Sequence, residues 1–304
     1  MLTSSEKEAF VRDGYVLKKA LLDEVSRRRC LDATWKILAS LGISEDPSSW
    51  HNAYSRRGVV KLREQIDGNN EISEPIVNCT AVHDVVRALI GPKFINEGVR
   101  GVYPTLPIPR RISRPYEPHI EHHPCQVVVM YYLDDVIERN GGLLVWPGSH
   151  RSNYTAHTKR FDFSAKPKFL REFRQRSPCR PFEVTGSAGD VLFFHHRLFH
   201  SGSNNFQNTI RFGVLNDFIP ENFDEIRDDE PTADNMWDYW SEDLQQTSQQ
   251  LMDCSPLTTT SNDMVRRLLI SAFEIARKLK GSHANEYEEK IANASDATSN
   301  DDQT

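Results

Sequence analysis

The decapeptide EPHIEHHPCQ, Glu117 to Gln126, sets three histidines and two carboxylates just ahead of an apolar run. Imidazole nitrogens and carboxylate oxygens are donors that first-row divalent metals accept. In extended chain, residues two apart project to the same face. His119 and Glu121 therefore share a face, while Ile120 points the other way into apolar packing. His122 and His123 precede Pro124, which pushes the chain towards extended or turn geometry, and they read as rim groups. Pro118 interrupts the strand between Glu117 and His119, so Glu117 is set aside.

Further ligands must come from elsewhere in the chain. The segment GDVLFFHHRLFHSG, residues 189–202, offers His195, His196 and His200, the last where the strand gives way to a loop. Arg211 stands in an apolar strand among Ile210, Phe212, Val214 and Leu215. A guanidinium there is costly unless an anion meets it, so Arg211 asks for a carboxylate. Two imidazoles, one carboxylate and open remaining positions describe the facial triad of non-haem iron(II) oxygenases. A rival set, His119, Glu121 and His123 on alternate positions, has the ligand count of a zinc hydrolase.

The elements that must position these groups change character along the chain. Thr3 and Glu6 suit a capping box for a first helix ending before Gly14, and GYVLKKA reads as a strand. A second helix spans about Asp23 to Leu41 with Gly42 as its stop, and a third carries Val82, Val85, Val86 and Leu89 before Gly91. From about Phe94, short apolar or alternating runs are broken by turn residues: FINEGVRGVY, PYEPHIE, CQVVVMYYLDD, GLLVW, RPFEV, DVLFFH and TIRFGVLNDFI. Many short strands with turns between them predict an antiparallel sandwich or barrel with helices packed outside. Ser261 to Lys280 has an apolar stripe at helical spacing. The last twenty or so residues have the composition of a disordered tail. The expected division is an enzyme domain over 1–220, a helical extension over 221–281 and a tail over 282–304.

Of the 304 residues, 38% are hydrophobic, enough for a sizeable core. The net charge of -6 argues against a general nucleic-acid partner. Residues 151–180 oppose that trend, with nine Lys and Arg against Asp162 and Glu172, and suit recognition of an anionic substrate or a solvated loop. Arg110, Arg111 and Arg114 could add to the same positive side. Five scattered cysteines without a C-x-x-C pair suit reduced thiols in the cytoplasm, and neither a signal peptide nor a membrane span is visible.

With these pieces in order, the sequence resembles the phytanoyl-CoA dioxygenase family of Fe(II)/2-oxoglutarate oxygenases. The likeness runs from about Ser5 to Ile219 through PHIE, YLDD, NGGLLVWPGSHR, GDVLFFHHRLFHSG and Arg211. It implies a mainly β protein, a double-stranded β-helix of the jelly-roll or cupin-like kind, with flanking helices at both ends. It implies Fe(II) at His119, Glu121 and His200, and Arg211 on the distal carboxylate of the cosubstrate 2-oxoglutarate. The reaction implied takes O2 and 2-oxoglutarate to succinate and CO2 while oxidising a C–H bond of a small molecule, hydroxylation being the default. Glu121 stands where the family usually has Asp, although clavaminate synthase and its relatives look similar in using H-x-E. The alternative is a non-oxidative or binding-only member of the same fold. The family likeness favours His200 over His195, which then reads as a hydrogen-bonding support; Tyr132 and Trp146 could line the cosubstrate pocket but read first as core packing. MWDYW at 236–240 reads as packing, and the apolar stripe of 261–280 suits either the core or a homo-oligomer contact.

Overall fold

The structure, a computed structural model, describes residues 1–56, 58–113, 118–121, 123–154, 159–161, 181–232 and 234–253. The chain divides into two units, Met1–Gln249 and Gln250–Thr304, and the architecture below is that of the first. The 261–280 stripe, the tail, most of the basic stretch 151–180, Arg114, Glu117 and His122 lie outside the described residues.

Helix α1 (Ser4–Asp13) begins at the expected capping box, in which the Thr3 hydroxyl accepts from the Glu6 N–H and the Glu6 side chain accepts from the Thr3 N–H. It ends at Gly14, where φ of 84° is left-handed backbone that glycine adopts without a Cβ penalty. Strand β1 (Tyr15–Lys18) follows, then α2 (Glu24–Ser40), capped by the Asp23 side chain. A short helix α3 (Asn70–Val77) was not legible, because eight residues with Pro75 inside give little periodicity. Helix α4 (Thr80–Ile90) ends at Gly91 as the sequence indicates.

The remaining elements are β2 (Phe94–Val102), β3 (Val127–Tyr132), β4 (Leu143–Val145), α5 (Ser149–Tyr154), β5 (Phe182–Val184), β6 (Val191–His195), β7 (His200–Gly202), β8 (Gly213–Pro220), α6 (Phe223–Ile226) and α7 (Glu242–Asp253). The strands form two antiparallel sheets, one ordered β1-β6-β3-β8-β2 and one ordered β5-β4-β7.

Alternation along β3 explains how the two sheets share a core. Val128, Met130 and Tyr132 join Leu143 and Val145 of β4, Val184 of β5, and Leu192 and Phe194 of β6 in one buried cluster. On the opposite face the Tyr131 hydroxyl donates to the Ile76 carbonyl of α3, 3.4 Å away. Burying each such apolar side chain contributes roughly 1.5–3 kcal/mol. Tyr132 is fully buried and donates to the Val184 carbonyl, and Trp146 packs with Ile120, Leu144 and Phe199, so both have the core roles expected.

Three strand expectations are corrected. PHIE forms no regular strand: His119 makes an isolated bridge to His200, with reciprocal N–H to carbonyl bonds of 3.0 Å. His200 opens β7 of the smaller sheet and does not close β6. Arg211 precedes β8 and bridges Thr105. Among the described residues no helix is long and apolar enough to cross a membrane.

Candidate functional site

The bridge between residues 119 and 200 brings two chain segments into register and with them two imidazoles, whose ring centroids are 4.3 Å apart. The Glu121 N–H donates to the His196 carbonyl, which fixes the acid one step further along the same crossing. His200 Nδ1 lies 3.0 Å from the Leu198 carbonyl, a contact that orients the ring and turns Nε2 towards Glu121. That Nε2 is 3.2 Å from Glu121 Oε1. Adjacent ligands of one ion, each at about 2.0–2.2 Å and at right angles, stand roughly 3 Å apart, so this pair has the spacing of neighbours in one coordination shell. Ile120 between them turns away into the Leu144, Trp146 and Phe199 cluster.

Glu121 is buried and doubly engaged, since its Oε2 accepts from Arg100 Nη1 at 2.6 Å. Burial pushes its carboxyl up, but the hydrogen bond from His200 and the charge of Arg100 outweigh burial and hold it well below the usual carboxylate range. Arg100 is anchored in turn by Asp217, with Nε to Oδ2 at 2.6 Å and Nη2 paired to Oδ1.

Arg211 is 3% exposed, donating from Nε to the Gly141 carbonyl at 2.8 Å and from Nη1 to the Tyr103 carbonyl at 3.2 Å. These backbone oxygens aim the guanidinium plane. Gly213 gives it room, because a Cβ there would lie 2.5 Å from Arg211 Nη1 and 2.7 Å from Met130 Cε.

His119, Glu121, His200 and Arg211 line one cavity of about 450 Å³, together with Arg100, Lys61, Arg63 and Tyr103. Its apolar wall comes from Met130, Leu143 and Leu215. The donor set of two imidazoles and a carboxylate suits a first-row divalent ion. As the side chains stand, no group of three His, Cys, Asp or Glu among the described residues is arranged to hold a metal ion. Glu121 and His200 are instead hydrogen-bonded across the position such an ion would take.

Other candidates fall away. His195 does not support the cavity: its Nδ1 accepts from the Arg197 N–H at 2.9 Å, and its ring stacks on His196 and Trp240. The rival His119, Glu121 and His123 set loses its premise, since those residues do not follow one another along a strand, although His123 also lines the cavity. Arg110 lies over the Phe206 ring, and neither it nor Arg111 lines the cavity. MWDYW packs as expected, with Trp237 and Trp240 against Phe10.

Sequence reasoning missed Arg100, Asp217, Lys61 and Arg63. A signal for Arg100 was present in Gly98-Val-Arg-Gly101, since glycines inside a strand mark a bulge or a close approach.

Residues 108–213, which contain His119, Glu121, His200 and Arg211, match the family model of phytanoyl-CoA dioxygenase (PhyH). Among solved structures, the chain is similar to the epimerase SnoN of nogalamycin biosynthesis, crystallised with Fe3+, alpha ketoglutarate and nogalamycin RO. That match has 18% identity, covers 71% of this chain and 82% of SnoN, and has a TM-score of 0.54. It is also similar to HygX from Streptomyces hygroscopicus with nickel and 2-oxoglutarate bound, at 13% identity, covering 72% of this chain and 87% of HygX, with a TM-score of 0.51. At such identities the likeness is one of fold. Comparison with curated proteins gives no match. The phytanoyl-CoA dioxygenase match lies over residues 108–213, and the two solved structures share the fold.

Proposed function

We propose that this protein oxidises an unactivated C–H bond of a small anionic organic molecule, using Fe(II), O2 and 2-oxoglutarate and releasing succinate and CO2. The fold proposed is the double-stranded β-helix, whose two sheets would hold iron at His119, Glu121 and His200. The observation that carries the reading is that these three donors and Arg211 open on a single cavity. Its volume of about 450 Å³ falls within the roughly 300–1,000 Å³ of small-molecule sites.

Bound iron supplies the one-electron and O2 chemistry that side chains lack. The chain's own residues bind and orient. Arg211, steadied by the Gly141 and Tyr103 carbonyls, presents a planar fork to the distal carboxylate of the cosubstrate, a geometry that favours two parallel hydrogen bonds. His200, oriented through Leu198, keeps its Nε2 turned to the metal position. Met130, Leu143 and Leu215 keep part of the wall dry. Lys61 and Arg63 add positive charge to the same wall, which supports an anionic substrate.

A second reading keeps the fold without the oxidation, and the contact of Glu121 with His200 across the metal position favours it. Anaerobic addition of Fe(II) and then 2-oxoglutarate separates the two. The first reading expects the weak visible charge-transfer band of a chelated complex and, on admission of O2, succinate. No band at saturating ligand establishes the second. Mass spectrometry of candidate anionic substrates, seeking products of +16 or −2, then identifies the oxidative outcome.

A further inference from the structure

The geometry assigns Arg100 as the residue that positions the carboxylate ligand, by holding Glu121 Oε2 so that only Oε1 is presented to the metal. This inference rests on the metal assignment proposed above.

The strand itself delivers Arg100. In the pairing of β2 with β8, Val99 is opposite Asn216 and Gly101 is opposite Leu215, so Arg100 is the extra residue of a bulge. Bulges re-aim a side chain and recur beside functional sites. Here the bulge turns Arg100 onto the cavity wall, where its side chain is 10% exposed. Asp217, on the neighbouring strand β8, takes two of its nitrogens. Its Nη1 donates to Glu121 Oε2 at 2.6 Å, the short distance of a charge-assisted bond. The other oxygen, Oε1, faces His200 Nε2 at 3.2 Å.

The two oxygens of Glu121 are thus divided between a fixed cation and the metal position. A glutamate has one more rotatable bond than an aspartate and would otherwise wander or bind an ion through both oxygens. Pinned at Oε2, it binds through one. A divalent ion held by two imidazoles and one carboxylate oxygen would leave room for the keto acid and O2. Arg100 therefore accounts for how Glu121 serves where an aspartate is usual.

The test is binding of Co(II), a spectroscopic probe, to the full chain under nitrogen, followed by calorimetry and by visible absorption. Arg100→Gln should weaken Co(II) binding about 10- to 100-fold, the usual cost of losing an outer partner of a metal ligand. Arg100→Lys should restore part of it, and Asp217→Asn, which loosens the anchor and leaves Arg100 in place, should show a smaller loss. In a Glu121→Asp background Arg100→Gln should change affinity less, because the shorter acid does not reach both partners; a merely structural role predicts the same loss in both backgrounds. If Arg100→Gln does not fold, Asp217→Asn and Arg100→Lys carry the test, and wild-type affinity in both overturns the inference. Tighter Co(II) binding by Arg100→Gln also overturns it, showing that Arg100 competes with the metal for Glu121. Failure of the wild-type protein to bind Co(II) sinks the metal assignment itself, and this inference with it.

Discussion

Two groups of histidines stand in this protein under opposite conditions. His119 and His200 share a cavity wall with Glu121, Arg100 and Arg211. His150, His195 and His196 are pressed among aromatic rings, with His195 stacked on Trp240 and His196 beside Phe161. In the second group His150 Nδ1 and His195 Nε2 are buried without a hydrogen-bond partner among the described residues. Burial pushes His150 down to about 3 and holds His195 and His196 well below the usual imidazole range, with Arg151, Arg160 and Arg197 adding repulsion. A nearby acid and an opening distinguish a ligand from packing, since His195, His196 and His200 belong to one apolar-rich segment.

The sharpest way to break that contrast is to exchange roles by mutation. His200→Ala should reduce 2-oxoglutarate turnover about 10³-fold or more, because the metal's contribution of several kcal/mol goes with it. His195→Phe, which keeps a ring in the aromatic layer, should leave turnover per folded molecule unchanged. It strands the Arg197 N–H, at a cost to stability of about 1–3 kcal/mol. Succinate release and thermal melts check both, and equal loss of turnover in the two variants would merge the groups into one site.

Acid probes the dry group next. In the unfolded chain these imidazoles take up protons near pH 6.5, whereas in the fold they stay neutral far below that. The unfolded state then binds more protons, so stability is fully present above about pH 6.5 and falls as pH drops below it. At pH 5.5 the loss should be about 1.4 kcal/mol per histidine, and His150 continues to contribute down to its folded value of about 3. Urea melts at pH 7.5 and 5.5 measure it, and a midpoint that does not fall would show that the cluster is wetter than its packing indicates.

Arg211 probes the other group. Arg211→Ala should raise KM for 2-oxoglutarate by about 30-fold or more, equivalent to the roughly 2–5 kcal/mol lost when one member of a buried charge pair is truncated. Arg211→Lys, which keeps the charge and loses the fork, should recover only part of the affinity. Equal KM values for the wild-type and Ala proteins would remove the cosubstrate from this guanidinium.

How much of this was legible follows from the range over which each signal acts. The His119 and Glu121 pair, separated by two residues, needed only the alternation of an extended chain, and a charged Arg211 among apolar residues declared its need for an anion locally. The antiparallel strands and the caps of α1 and α2 were local as well. Choosing among His195, His196 and His200 was beyond local pattern, because it depends on a turn that moves His200 to the second sheet. Arg100 and Asp217 meet across 117 positions and through a bulge, neither of which periodicity reports. The aromatic layer likewise joins Phe10 to Trp237 and Trp240 from the far end of the described chain.

Gly213 offers the finest adjustment of the contrast, because it changes the cavity group without touching a ligand. It opens β8 two residues after Arg211, and the hydrogen in place of its side chain is what lets Arg211 Nη1 and Met130 Cε approach. Both neighbours are side-chain ends, so Ala at this position would displace them without breaking the strand. Overpacking of this kind costs about 1–3 kcal/mol. The displaced guanidinium should lose alignment with its cosubstrate and raise KM for 2-oxoglutarate by about 10-fold, since a tenfold change needs only about 1.4 kcal/mol. Acid sensitivity, which belongs to the histidines packed among the tryptophans, should not move. A Gly213→Ala protein with unchanged KM would place the cosubstrate carboxylate away from the Nη1 side of Arg211.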